Sequence, residues 1–296
     1  MDRFGRFSAR KVSEAECAVL TPLETIDDRA ASAGWIGIGN QWTRDLYDGP
    51  FYIPADAGAA GVETPLVSLV FVQSRDGNTG ADDPSELGAG PVDLHLIYEG
   101  LSRVAADAVM AGGKTVEGEA RFFSVWHPQL VSLRAELGLA RHPAQIVVTG
   151  SGRVDLDRCL LFNVPEVAVF ILTNPDGCAR LEQAVSRRPH VALVPMAGMD
   201  LRPGLEYLRG RGIRRISAIG GRTLASALID QALVHDLTLT TSARPGGEPH
   251  TPFYVGKRPP SLETLVRKRG TDVEYPIVVE QSLILNRSSL ITIPNQ

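Results

Sequence analysis

Two glycine pairs that follow short apolar runs are the first places where the residue types of this chain could do chemistry. Gly220 and Gly221 separate the mostly apolar run 216–219 from a helix pattern that begins at Arg222 and Thr223. Glycines at a strand-to-helix junction let backbone N–H groups approach an anion at the helix N-terminus, where the helix dipole favours negative charge. Because glycine adopts positive φ at little cost, an ordinary tight turn explains the pair equally well.

The second pair, Gly112 and Gly113, also follows an apolar run and continues into Lys114 and Thr115. Lysine and threonine after a glycine are typical of a P-loop. That motif needs another glycine five positions before the last one, and the residue there is Ala108. The sequence therefore excludes ATP hydrolysis by a P-loop and leaves a second strand-to-helix turn.

Polar side chains follow two further apolar runs. Ser74 and Asp76 come after one run, and Thr149, Ser151 and Arg153 end or follow the other. The carboxyl ends of strands carry the ligand site in an open α/β sheet. A Ser and an Asp there could contact a polar heterocycle, while hydroxyls with a guanidinium can hold a phosphomonoester. A plain turn at Asp76 and a solvated Arg153 remain the alternatives.

Apolar runs alternate with helix patterns through most of the chain, which predicts an α/β fold with a mostly parallel central sheet. The predicted strands are 66–72, 105–111, 145–149, 167–173, 191–194, 214–219 and 237–242. The predicted helices are 93–101, 117–140 with an irregular piece around 122–128, 179–187, 201–211 and a segment from 222, and Asp93 is the expected cap of the first. The tail, 277–285 and 290–293, predicts an antiparallel edge of two strands joined at 286–288.

Residues 1–62 differ in character from the rest of the chain. They have a basic start and hold Trp35 and Trp42, two of the three tryptophans, between glycines and prolines. Aromatic residues in such a setting predict an N-terminal extension that packs on the body, although a substrate lid or a dimer contact is also open. We therefore predict an extension over 1–62 and one larger domain over 63–296.

Composition excludes several classes of function. The net charge of −4 argues against a general nucleic-acid binder. Cys17, Cys159 and Cys178 lie far apart without a Cys-x-x-Cys pair, so we expect no metal site. The absence of a signal peptide pattern and of an apolar run of about 20 residues predicts a cytoplasmic protein that does not enter a membrane.

Three motifs in this order resemble the C-terminal reductase domain of bifunctional riboflavin-biosynthesis deaminase/reductases, which has the dihydrofolate reductase fold. They are Ser74-x-Asp76-Gly77, the stretch 112–116, and the stretch 219–224 with 233–240 after it. The resemblance covers about residues 65–285. It implies a three-layer α/β/α domain and NADPH-dependent reduction of a ribosylaminopyrimidine phosphate, of the 5-amino-6-(5-phosphoribosylamino)uracil reductase type.

The resemblance also implies a role for each motif. Ser74 and Asp76 would face the nicotinamide and the substrate, with Asp76 as the catalytic candidate and Arg121 as a stand-in for the family's arginine contact to substrate. The NADPH-binding residues would be Gly112, Gly113, Lys114, Thr115, Thr149, Ser151, Arg153, Gly220, Gly221, Arg222 and Thr223. Of these, 220–223 would cradle the pyrophosphate, and Thr149, Ser151 and Arg153 the adenosine 2′-phosphate.

The chain departs from the family pattern at several points. Ile219 stands where the family has Glu, and Ile219-Gly220-Gly221 is similar to dihydrofolate reductase itself. The zinc signature of the deaminase is absent from the sequence. The alternatives are a dihydrofolate or pteridine reductase, or a protein that binds a nucleotide or pterin without catalysis. The family further implies a homodimer.

Overall fold

The structure is a computed structural model that describes residues 2–55 and 62–285. The strands are β1 Glu24–Asp28, β2 Ile36–Ile38, β3 Phe51–Ile53, β4 Leu66–Gln73, β5 Ala108–Gly112, β6 Ala144–Thr149, β7 Val169–Thr173, β8 Val191–Pro195, β9 Arg215–Ala218, β10 Asp236–Ser242, β11 Ser261–Asp272 and β12 Tyr275–Leu285. The α-helices are α1 Arg3–Glu16, α2 Gln41–Tyr47, α3 Pro128–Glu136, α4 Pro175–Val185, α5 Arg202–Gly210 and α6 Arg222–Asp230. A π-helix, Asp93–Arg103, and the short 3₁₀ helices Pro84–Leu87, Gly113–Val116 and Leu160–Phe162 complete these ranges. No helix in the described ranges is long and apolar enough to cross a membrane.

One large sheet organises the described residues, with strand order β1-β11-β12-β10-β4-β9-β5-β6-β7-β8. Its strands from β10 to β8 run parallel. β12, β11 and β1 are added antiparallel on one side. The predicted dihydrofolate reductase-like class, a mostly parallel sheet with an antiparallel addition, is confirmed.

Apolar side chains cover both faces of the parallel strands, and this is why these strands read as continuous apolar runs. Successive residues of β5 show the alternation: Val109 belongs to one buried cluster and Met110 to the other. The same holds for Val147 and Val148 in β6. Helices pack against both clusters, which gives the three-layer α/β/α arrangement.

The predicted helix 117–140 is wrong in the part before the irregular piece around 122–128. Only Pro128–Glu136 is helical, and Gly118 has a φ of +108°, which an α-helix does not allow. The segment before α3 has no regular secondary structure and is held by the 3₁₀ helix Leu160–Phe162. The N–H of Leu160 donates to the carbonyl of Glu119, and that of Leu161 to the carbonyl of Arg121, both at 3.0 Å.

The predicted cap of the helix that starts at residue 93 is also wrong. Asp93 lies inside the helix, whose first helical residue is Pro91, and its side chain is buried. The carboxylate of Asp272 caps this helix from the β11–β12 hairpin. It accepts from the N–H groups of Gly90, Val92 and Asp93 at 2.7, 3.1 and 2.9 Å. A cap so distant in sequence leaves no local pattern.

The antiparallel addition differs in detail from the predicted tail. β12 matches the predicted strand 277–285, but its hairpin partner is β11, joined to it by a turn between Asp272 and Tyr275. The predicted joint 286–288 and strand 290–293 lie outside the described residues. The outermost strand on this side is β1, from the N-terminal part of the chain.

Side chains from the first 55 residues lie in the same buried cluster as those of the body. Phe7, Tyr47 and Phe51 are buried beside residues such as Ile97 and Leu101 of the π-helix. β1 pairs with β11, and β2 with β3 forms a separate two-stranded ribbon. The division into 1–62 and 63–296 stays a prediction.

Candidate functional site

The carboxyl ends of the parallel strands bring the two predicted glycine turns together. A Cβ built on Gly221 would lie 3.6 Å from Oγ1 of Thr115 and 4.0 Å from Cα of Gly112. A Cβ on Gly113 would lie 3.2 Å from Cβ of Thr149. The ends of β9, β5 and β6 therefore form one continuous surface.

The turn at Gly220 and Gly221 has a backbone that favours glycine. Their φ angles are 122° and 84°, a region that L side chains rarely adopt. Gly221 is the N-cap of α6, and no described side chain caps this helix. α4 differs, because Asn174 accepts from the N–H of Gly177 at 2.7 Å. The first turn of α6 thus offers backbone donors for an external anion.

Open space lies in front of this turn. No described atom comes within 4 Å of a Cβ built on Gly220 or on Gly112. Uncapped N–H groups facing open space can bind the oxygen atoms of a phosphate, and the positive end of the helix dipole strengthens that contact. The geometry fits a phosphate-binding turn, which sequence alone could not separate from a tight turn.

The turn after β6 presents Ser151 and Arg153. Gly152 has a φ of 64°, and a Cβ there would come within 2.6 Å of Cα of Gly177, so this turn packs tightly against the start of α4. The Ser151 hydroxyl accepts from the N–H of Arg153 at 3.3 Å. Within the described residues the Arg153 guanidinium makes no hydrogen bond or ion pair, and it lies exposed at the protein surface. Such a guanidinium is available to an anionic ligand.

A cavity of about 360 Å³ lies between Gly113 and Arg153. One wall is formed by residues 116–119 and the other by residues 153–155 with Arg158 and Cys159, and Phe162 lies behind them. Arg158 and Glu119 pair across it, with Nε and Oε1 3.0 Å apart, and this pair holds the pKa of Glu119 below its ordinary value. The cavity continues the surface that the glycine turns begin.

Ser74 and Asp76 both bind the backbone of Gly246, which follows β10. The buried Ser74 hydroxyl donates to the Gly246 carbonyl at 2.8 Å, and Asp76 Oδ2 accepts from its N–H at 3.1 Å. The Asp76 side chain remains 48% exposed. The structure thus gives both residues a role in fixing two loops, and the predicted contacts with nicotinamide and substrate stay predictions.

Sequence reasoning missed the partners in the loop 244–251. Glu248 lies 3.7 Å from Arg222, measured from Oε2 to Nη2, and its N–H donates to the carbonyl of Gly80 at 2.7 Å. Asn78 adds a bond from Nδ2 to the Gly246 carbonyl at 3.0 Å. These contacts join the loop after β4, the loop after β10 and the first turn of α6. The only sequence signal was the Gly and Pro content of the loop.

Arg121 lies two residues after the wall segment 116–119 and does not line the cavity. Its side chain is exposed, and Nε donates to the carbonyl of Glu117 at 3.2 Å. The structure therefore places it beside the cavity, folded onto its own loop. Its predicted contact with substrate stays a prediction.

The comparisons with known proteins agree with these features. Residues 65–271 match the RibD C-terminal domain. A relative from Archaeoglobus fulgidus is 27% identical over 194 residues, which are 66% of this chain and 83% of that protein. Another from Methanothermobacter thermautotrophicus is 28% identical over 210 residues, 70% of this chain and 86% of that protein. Both are named 2,5-diamino-6-ribosylamino-4(3H)-pyrimidinone 5′-phosphate reductase.

Solved structures share the fold. A pyrimidine reductase-like protein from Corynebacterium diphtheriae aligns with a TM-score of 0.62 and 19% identity over 75% of this chain and 92% of that one. RibD from Acinetobacter baumannii aligns with a TM-score of 0.57 and 17% identity over 76% of this chain and 59% of that one. The family that the three sequence motifs predicted is thereby confirmed: the chain belongs to the RibD C-terminal domain family.

Proposed function

We propose that this protein is an NADPH-dependent reductase of a ribosylaminopyrimidine 5′-phosphate. The names of its two relatives support the reductase activity and the substrate class. The observation that carries the proposal is the junction of the Gly112 and Gly221 turns beside the uncapped N-terminus of α6. A phosphate-binding turn at the carboxyl ends of parallel strands is where a dinucleotide binds in α/β folds.

The residues at this surface fit NADPH. Residues 220–223 would hold the pyrophosphate on backbone donors, and 112–115 would lie along the cofactor beside them. Thr149, Ser151 and Arg153 would hold the 2′-phosphate, which supports NADPH over NADH because the Arg153 guanidinium matches a phosphate in charge and geometry. When bound, the cofactor supplies a hydride.

The chain's own residues position the substrate. In the proposed reaction C1 of the ribosylamino group accepts a hydride, the ring oxygen accepts a proton, and the sugar opens to a ribityl chain. Asp76 is the candidate for orienting the pyrimidine or its amine and for assisting proton transfer. Its Oδ2 accepts from the Gly246 N–H, and this bond restricts the directions that the carboxylate can take.

The test is NADPH oxidation with the ribosylaminopyrimidine phosphate, with dihydrofolate as the second substrate. Turnover of the pyrimidine alone supports the proposal. A dihydrofolate or pteridine reductase is the second candidate, because Ile219 is a buried apolar residue where the riboflavin reductases have Glu. Turnover of dihydrofolate alone would establish that candidate, and NADPH binding without turnover of either would indicate a non-catalytic binding protein.

We further propose that the protein is a cytoplasmic homodimer. Three cysteines far apart in sequence suit a reducing compartment, and the family implies the dimer. Light scattering at micromolar concentration tests the dimer, since a monomer mass would contradict it.

A further inference from the structure

Arg3, at the start of α1, joins the two walls of the 360 Å³ cavity. Its Nη2 donates to the carbonyl of Glu119 and to the carbonyl of Arg158, each at 2.7 Å. Glu119 lies in one wall and Arg158 in the other. One guanidinium therefore bridges two segments that are far apart in sequence, and it acts on their backbone.

Aromatic contacts fix α1 in the position from which Arg3 reaches these carbonyls. Phe4 packs edge-on against Phe122 with ring centroids 4.9 Å apart, and Phe7 against Trp126 at 5.6 Å. Phe122 lies three residues after the wall segment 116–119. The helix is thus anchored on the body by apolar contacts that do not involve Arg3.

The side-chain pair between Arg158 and Glu119 links the same two walls, and like the bonds of Arg3 it lies at the exposed surface, where ion pairs contribute little to stability. A planar guanidinium that donates to two carbonyls fixes their separation more closely than two flexible side chains can. Holding a binding surface in its ligand-ready geometry lowers the entropy cost of binding.

We propose that Arg3 is a positioning residue that sets the width of this cavity for the adenosine end of the cofactor. This inference rests on the proposed function, because it takes the cavity beside Arg153 as part of the NADPH site. Arg3 lies outside the segment 65–271 that matches the family. The N-terminal extension therefore contributes to ligand affinity, while the chemistry remains with the body.

The test compares Arg3→Gln with wild type, using Arg10→Gln as the matched control. Arg10 lies on the same helix and pairs with Glu14 at 3.5 Å. For Arg3→Gln we expect the Kd for NADPH from fluorescence titration to rise about fivefold, with the KM rising in parallel and kcat unchanged. Arg10→Gln should match wild type. Arg3→Lys keeps the charge without the planar fork, so it should recover only part of the affinity.

Amide hydrogen exchange on the protein without cofactor tests the bridge by itself. Arg3→Gln should speed exchange over residues 117–121 and 155–159, while its Tm stays within about 2 °C of wild type. Unchanged exchange and Kd in Arg3→Gln would overturn the inference, as would full recovery by Arg3→Lys, which would indicate charge attraction alone. If wild type fails to bind NADPH, the proposed function fails, whereas the exchange result still decides whether the bridge exists.

Discussion

Glycine is favoured at position 221 for two reasons. The backbone there has a φ of 84°, and a side chain would occupy the surface where a phosphate would lie. Substitution by Asp and by Asn imposes the same steric load and differs mainly in charge. We expect Gly221→Asp to weaken NADPH binding more than about a hundredfold, because a carboxylate would meet the pyrophosphate. Gly221→Asn should bind at least about tenfold better than Gly221→Asp in the same titration. Equal losses in the two variants would show that strain, not charge, governs this position.

Arg153 is the residue proposed to select between the two nicotinamide cofactors. Since its guanidinium has no partner in the described residues, truncation leaves no group unsatisfied. Arg153→Ala should weaken NADPH binding about tenfold or more and leave NADH binding almost unchanged. Titrations with both cofactors measure this ratio, and Arg187→Ala, at an exposed site after α4, is the control. A parallel loss for both cofactors would place the 2′-phosphate elsewhere.

Asp236, at the start of β10, predicts a pH dependence of stability. Burial raises its pKa to about 7, although the Ser68 hydroxyl and Arg215 act in the opposite direction. The pKa of an aspartate in an unfolded chain is about 3.9. Between this pH and the folded pKa, the folded protein therefore holds a proton that the unfolded chain has released. Its contribution to stability is therefore complete below about pH 4 and is lost as the pH rises towards 7.

Asp236→Asn removes this titration and can still accept from Ser68. The free energy of unfolding of the variant, relative to wild type, should rise between pH 5 and pH 8 by about 1 kcal/mol or more. Urea denaturation at the two pH values measures this difference. Asp176→Asn removes an exposed charge on α4 and serves as the control. A difference that does not change with pH would mean that Asp236 is ionised throughout this range.

At the scale of elements, the π-helix Asp93–Arg103 depends on a cap supplied by the β11–β12 hairpin. Asp272 is fully buried and accepts three backbone N–H groups. Asp272→Ala should lower the free energy of unfolding by about 3 kcal/mol, since it leaves buried donors unpaired. Glu274→Ala, two residues away and exposed, should change it by less than about 0.5 kcal/mol. Comparable losses in both variants would show that the hairpin turn, not the cap, matters.

The elements that sequence predicted well are those whose signal is local. The parallel strands, such as β4 and β6, are buried on both faces and read directly as apolar runs. β11 was missed because Arg267, Lys268 and Arg269 interrupt its apolar residues, yet Lys268 is buried and donates to Thr25 at 2.7 Å. Its strand character comes from β1 and β12 on either side, which no local pattern records.

In the candidate site, too, some features have a local sequence signal and others do not. A glycine turn depends on the backbone freedom of the glycine itself, so the sequence could predict the turns at Gly112 and Gly221 and their position at strand ends. The bonds that occupy Ser74 and Asp76 depend on where the loop after β10 crosses the loop after β4. The packing of the whole sheet determines where the two loops cross. The sequence therefore could not show whether Ser74 and Asp76 orient a ligand or only hold the loops together.

For the whole molecule, the question is whether the N-terminal residues unfold with the body. Phe51 is fully buried, packs on Tyr47 with centroids 4.8 Å apart, and lies against Gly100. A Cβ on Gly100 would come within 2.5 Å of Cζ of Phe51, so the ring sits directly on the π-helix. Contact this close between extension and body predicts a single cooperative transition.

Single-tryptophan variants can follow both parts of the chain, since Trp35 and Trp42 lie in the extension and Trp126 lies in the body, where its ring contacts Phe7 of α1. We expect urea transitions with the same midpoint for all three. Phe51→Ala should lower the free energy of unfolding by about 4 kcal/mol and shift every transition together, because it opens a cavity in a shared core. Ile36→Ala, at a half-exposed site of the extension, should cost under about 1 kcal/mol. If Trp35 and Trp42 respond at lower urea than Trp126, the extension folds independently of the core in which Phe51 lies.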